Sequence, residues 1–557
     1  MAETRKPGAT AGVDIAVGVR LFNKRCIVMR KTSFRAALAL AVVAALTAGS
    51  LAGCARLIPT ADPALRTLVV AVASELDGTD VQQVWTANIV QELISPAPVV
   101  FDLNRERLVP QVASAVSFSQ DGKSIILTFP RDLRFANGRA ATGADIEASI
   151  RRYREISPYA ADWEDMDRAT VDGQTVTLTF RNPPANFLAV LTSAYSGIVD
   201  VQEATRVGKE AFNRRAIGIG PYLLKEWVQG SHFTLTRNEH YRDHKPFVQN
   251  RGPWHFETIT VRVIPDGFTR LAELEAGNVD FADIALEHRA RVAANPNLVL
   301  ITTPAAGQTY LRFNLHRAPF NDLKFREAIN YAINKDAIKQ ALDATVEPVY
   351  GLLSPAQLAF NAAVEAELRT RRGHNLARAQ QLLAELGYVP GTDGILRKGG
   401  RALRLTLLVS NDVAVQRLAG PVVQAQLRAI GIEVAVEEQG RAYIRELVRA
   451  NNYDIAFQAW NWADPDIWYF SFHSSNANPI WSTPQVDAIL EAGRSTMDMT
   501  QRSAKYGELS RLVGEHLPII SLFYPYTYRA HRRALQGLHI GVDGTVHFND
   551  ARKVNPR

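Results

Sequence analysis

The chain has 557 residues, of which 47% are hydrophobic and 21% charged; a chain this long outgrows a single core, so two or three globular domains are expected. Neither low-complexity tracts nor an internal repeat of roughly 20 to 50 residues is present. The formal charge of +7 would suggest a nucleic-acid partner, but residues 1–53 hold 8 Lys and Arg against 2 Asp and Glu, leaving 55 against 54 in the remainder. That near-neutral balance excludes nucleic-acid binding through a broad basic field.

Met29–Arg35 (MRKTSFR) is a basic n-region, and residues 36–48 (AALALAVVAALTA) form an apolar h-region. At 13 residues the h-region is shorter than the ~20 that span a bilayer. Leu51–Cys54 (LAGC) then places small residues before a cysteine. LAGC resembles the lipobox of bacterial lipoproteins, which implies that Cys54 is acylated and becomes the first residue of the mature chain. Residues 1–28 add nothing to this signal, which points to Met29 as the start. Of the two cysteines, Cys26 is removed with the leader and Cys54 carries lipid, so the exported part is expected to fold without disulfides.

After a tether over 54–66, TLVVAVAS (67–74) is apolar on consecutive positions. Such a run reads as a strand covered on both faces of a parallel or mixed sheet. VSFSQDGKSIILTFP and ATVDGQTVTLTF each set Asp-Gly between β-rich runs and predict hairpins, and residues 220–238 predict a third that turns at Gly230-Ser231. FTRLAELEAG predicts a helix closed by Gly277. In the second half, NLARAQQLLAELGY predicts a helix capped by Asn375 and stopped by Gly387. Strand 404–410, a helix over 412–431 bent near Pro421, and strand 432–438 make a βαβ unit. A helix RAYIRELVRANN and a strand over 453–459 extend the same sheet.

Ligands of open α/β sheets bind beyond the carboxyl ends of the strands, and WNWADPDIW leaves such an end. Trp462, with small or polar neighbours and two aspartates close by, is expected to line a site. Trp468 and Phe470 read as core. Asp464 either contacts a ligand, because an enclosed carboxylate needs a partner, or caps a helix starting near Pro465. His240 and His244, four apart in HYRDH, read as surface histidines rather than metal ligands. The glycine pattern of GIGPYLL fails as a dinucleotide fingerprint at Leu223 and Pro221, and no nucleophile, base and orienter can be named. No catalytic residue, metal site or cofactor is therefore expected.

Residues 133–153, 218–241, 310–338, 375–388, 426–434, 453–468 and 517–524, in that order, resemble the peptide, nickel and opine class of solute-binding proteins that serve ABC importers. The resemblance covers about residues 67–530. It implies an α/β, bilobal, periplasmic-binding-protein-like fold (class II) with an extra inserted domain and ligand enclosed between the lobes. By position, lobe I is 67–105, 215–306 and 520–557, the insert 106–214, and lobe II 307–519. Peptide-binding relatives carry W-x-x-D in the loop after the strand, the aspartate taking the ligand's α-ammonium. Here Ala463 stands three after Trp460 and the acid comes one later, at Asp464. The implied ligand-facing residues are Trp460, Asn461, Trp462 and Asp464 from lobe II, with Gln82 and Trp85 beyond the end of the first strand. The implied role is a monomeric, lipid-anchored receptor at the outer face of the membrane or in the periplasm, delivering small peptides or peptide-like solutes to an importer permease. A metal chelate or opine-like conjugate is the alternative ligand class, and a hydrolase on the same scaffold a remote one.

Overall fold

The computed structural model describes residues 63–554; the leader and Cys54 lie outside the described residues. A single mixed sheet runs through the molecule. Its strands lie in the order Glu433–Gln439, Arg404–Ser410, Ile455–Asn461, Gly307–Phe313, Ile519–Arg532, Phe281–Asp283, Thr67–Val72, Thr258–Val263, His232–Arg237 and Tyr222–Val228. Leu298–Pro304 and Val346–Pro348 also pair with Ile519–Arg532.

The run at 67–72 is apolar throughout because both of its faces are covered. Leu68 and Val70 enter one core, Ala71 and Val69 another, and the strand pairs in parallel with Thr258–Val263 and Phe281–Asp283. Arg404–Ser410 repeats this logic: Leu405, Leu407 and Val409 pack in one cluster and Leu408 in the opposite one. It pairs in parallel with both Glu433–Gln439 and Ile455–Asn461. The helix between, Ala414–Ala429, continues through Pro421.

Local signals placed the turns and caps. Gly122 and Gly173 take positive φ of 70° and 57° at the two Asp-Gly hairpins, which no side chain with a Cβ adopts cheaply. Those hairpins form a four-stranded antiparallel sheet, Ala115–Phe118, Ser124–Thr128, Thr175–Phe180 and Met166–Asp172. Its inward residues Ile125, Leu127, Val176 and Leu178 belong to the same hydrophobic cluster as Leu68 and Val70, so the inserted sheet is fused to the first half through one core. Asn375 accepts a hydrogen bond from the Arg378 amide, and Gly277 ends the helix Gly267–Ala276 in the left-handed conformation.

Two chain crossings join the halves. Ile519–Arg532 pairs with Gly307–Phe313 and Val346–Pro348 along its first part, then with Leu298–Pro304 and Phe281–Asp283. The change falls around Pro525, whose carbonyl accepts from the Ala305 amide at 2.9 Å. Ala305 and Ala306 form the other crossing, between the strands ending at Pro304 and starting at Gly307.

Candidate functional site

The strand expected over 453–459 runs two residues further, to Asn461, because Asn461 and Trp460 pair with Gly307 and Gln308. Trp460 and Asn461 therefore belong to the sheet rather than to the loop. The approach is close: a Cβ on residue 307 would sit 1.7 Å from the Trp460 carbonyl oxygen, so only glycine fits. Beyond the strand, the Trp462 amide donates to the Ala306 carbonyl at 2.7 Å, fixing the loop to the crossing segment. Trp460 and Trp462 are each 38% exposed, and Asn461 is exposed.

Of its two expected roles, ligand contact or helix cap, Asp464 takes the second. Its side chain is fully buried, and Arg502, equally buried, grips it with Nη1 to Oδ2 at 2.8 Å and Nη2 to Oδ1 at 2.7 Å. Oδ1 also accepts from the Asp466 amide at 2.8 Å, capping the short helix Pro465–Trp468. The carboxylate needed a cation, and the helix Met499–His516 supplies it from within the same half. Burial works against the Arg502 charge, but Asp464 outweighs it and holds the guanidinium pKa above its ordinary value. Asp466, beside them, is pushed up to about 6 by burial, with Arg494 pulling the other way.

Gln82 and Trp85 also depart from their expected places. Gln82 is 1% exposed; its amide donates to the Ser149 carbonyl and hydroxyl, both at 3.0 Å, and its oxygen accepts from Arg152 at 2.7 Å. It ties the first half to the inserted segment instead of facing ligand. Trp85 is 66% exposed, and its carbonyl is held by the hydroxyls of Tyr159 and Tyr195 at 2.6 and 3.0 Å. Trp468 is core as expected, stacked on Phe472 and donating to the Leu352 carbonyl at 2.9 Å. Phe470, expected in the core, is 58% exposed.

A cavity of about 310 Å³ lies between the halves. Trp462 and Ala463 wall it from the second half. The first half contributes Ile89, Glu92 and Leu93 of the helix Ile89–Ile94, with Lys245, Trp254 and the segment Asp543–Asn549; Ala189 and Thr192 come from the inserted region. Its ionisable groups are mostly committed. Arg105 pairs with Asp543 at 2.9 Å and reaches across to the Ala356 carbonyl of the second half at 3.3 Å. Lys245 pairs with Asp243 at 2.7 Å, and that carboxylate also accepts from Tyr241 and Asn549, each at 2.8 Å. Burial, helped by the Lys245 charge, pushes His547 down to about 3, so its imidazole is neutral at physiological pH.

Of the six residues expected at the ligand, only Trp462 lines this cavity. Glu92, Arg105, Lys245 and His547 escaped sequence reasoning. The turn at Asp543-Gly544 was a legible signal for the C-terminal wall, but nothing local marks the other three. Among the described residues, no group of three or more His, Cys, Asp and Glu side chains is placed to hold a metal ion, and no helix is long and apolar enough to cross a membrane.

Residues 107–480 match the family model of the bacterial extracellular solute-binding proteins, family 5, middle region. The chain belongs to family 5. Within it, the chain is 30% identical over 370 residues to the oligopeptide-binding protein AppA of Bacillus subtilis, a match that spans 64% of this chain and 65% of that protein. It is 27% identical over 517 residues to the glutathione-binding protein GsiB of Salmonella choleraesuis, covering 88% of this chain and 94% of GsiB. The fold is shared with NikZ of Campylobacter jejuni, solved in complex with Ni(L-His), at a TM-score of 0.67 and 22% identity over 88% of this chain and all of that one. The architecture is thus the bilobal, class II periplasmic-binding fold of family 5.

Proposed function

We propose that this chain is the lipid-anchored receptor of an ABC importer, held at the outer face of the membrane or in the periplasm through Cys54, and that it encloses a peptide or peptide-like solute by closing its two lobes. The observation that carries this reading is the cavity between the lobes, walled by Trp462 and Ala463 on one side and by the first lobe on the other. A ligand stabilises closure only by touching both sides, and this cavity offers both. Its volume lies at the small end for ligand sites. A cavity of this size suits a compact solute such as a short peptide. Family membership supports the receptor role, and the GsiB and AppA likenesses support peptide-like ligands.

Native mass spectrometry of the soluble protein purified from its own cells tests the reading. A bound solute of di- or tripeptide mass, released unchanged, is expected; conversion of added peptide to products would overturn it. Anchoring is read separately, as incorporation of labelled fatty acid that Cys54→Ala abolishes.

A second reading has one observation in its favour. His547 lines the cavity as a neutral imidazole, the form that ligates metals, and NikZ holds a nickel chelate on the same fold. Calorimetric binding that requires added nickel together with histidine would select it.

A further inference from the structure

We infer that Glu92 is the ligand's cation anchor, so that the solute captured carries an ammonium or guanidinium group placed against the first-lobe wall while Trp462 covers it from the second lobe. This deepens the receptor reading and rests on it. Glu92, on the helix Ile89–Ile94, is exposed and lines the cavity.

The charge inventory of the walls singles it out. Arg105 is matched by Asp543 and Lys245 by Asp243, and the Glu92 carboxylate makes no hydrogen bond or ion pair among the described residues. The cation acting on it, Arg529, is committed elsewhere: its Nε holds Asp283 at 3.1 Å and its Nη1 donates to the Gly544 carbonyl. Because Lys245 is held by Asp243 from outside the lining, Glu92 is the charged lining side chain left without a partner among the described residues. Burial raises the Glu92 pKa, Arg529 lowers it and Asp543 raises it again, so that on balance the pKa lies above its ordinary value. An enclosed carboxylate gains most from a partner that brings a positive charge into the same enclosure. Asp464 supplies no such anchor, because Arg502 already neutralises it.

Calorimetry on the wild type and the Glu92→Gln variant tests this with three tripeptides. Ala-norleucine-Ala carries only the α-ammonium, N-acetyl-Ala-Lys-Ala only the side-chain cation, and N-acetyl-Ala-norleucine-Ala neither. The expected result is that a cationic peptide loses about 10- to 100-fold in affinity in the variant, while the cation-free one, charged only at its carboxylate, loses none. Which cationic peptide responds tells whether an N-terminus or a side chain is read. Equal affinities of all three for both proteins would overturn the inference.

The ligand-free variant should melt no lower than the wild type, since it loses an unpaired enclosed charge; a clear drop would mark Glu92 as a structural residue and also overturn it. Should the wild type bind none of the peptides, the peptide reading fails by itself, and the co-purified solute decides for Glu92. A cationic solute absent from the variant upholds the anchor, whereas an uncharged solute, one retained by the variant, or no solute at all overturns it.

Discussion

The Asp464–Arg502 pair shows how one physical rule leads to two different outcomes. A carboxylate in an enclosed loop needs a cation; that requirement was readable in WNWADPDIW, but the cation's origin was not. Arg502 lies 38 positions away and reaches Asp464 only because the helix Met499–His516 packs beneath the loop. Arg502→Met should therefore destabilise the protein by about 3–5 kcal/mol in urea unfolding, by stranding the buried Asp464 charge. Asp464→Asn should also destabilise the fold, with ligand affinity of the folded fraction unchanged. His547 gives a pH prediction. Its pKa falls from the ordinary 6.5 to about 3 on folding, so the unfolded chain takes up a proton that the native site refuses. Its contribution is then complete above about pH 6.5 and is lost as pH falls toward 3, at up to about 1.4 kcal/mol per pH unit. Urea midpoints should decline between pH 6.5 and 4.5, and His547→Gln should flatten that decline.

At the scale of elements, whatever depends on neighbours in sequence was legible. The Asp-Gly hairpins, the Asn375 cap, the Gly277 stop and the strand at 404–410 form as expected, and the apolar run expected as a strand over 67–74 forms one over 67–72, because each is decided within a few residues. The end of the strand Ile455–Asn461 was not, because pairing with Gly307 prolongs it past the point where its own residues turn polar. That pairing makes a prediction. Gly307→Ala would thrust a methyl group to within 1.7 Å of the Trp460 carbonyl, parting two strands beside the crossing segment. We expect a loss of at least about 2 kcal/mol in stability and a displaced Trp462, seen as a changed tryptophan emission and weakened ligand binding.

In the whole molecule, polar contacts across the halves include these. Arg289 of the first lobe donates to the Asp343 carbonyl at 2.7 Å and pairs with its carboxylate; the Asn186 amide donates to the Arg494 carbonyl at 3.3 Å; Arg105 reaches Ala356. The exposed Asp343 side chain makes the first of these weak, worth up to about 1 kcal/mol. Arg289→Ala should accordingly enlarge the radius of gyration of the ligand-free protein in X-ray scattering and weaken ligand binding by no more than about fivefold, chiefly through faster release. An unchanged radius and affinity would show that this contact does not bias closure.

By itself the sequence determined the class of the molecule: a mixed α/β sheet, turns and caps at their places, and a run of motifs shared with one family. These follow from periodicity, backbone chemistry and short patterns, all of which act along the chain. Only the tertiary structure decided which charges are spent and which are free. Asp464, prominent in sequence, is neutralised by a distant helix, whereas Glu92, in a helix without any distinguishing motif, is left unpaired because the walls around it come from segments as remote as Trp462 and Asp543. The free energy of an enclosed charge depends on every group around it, and folding alone brings those groups together.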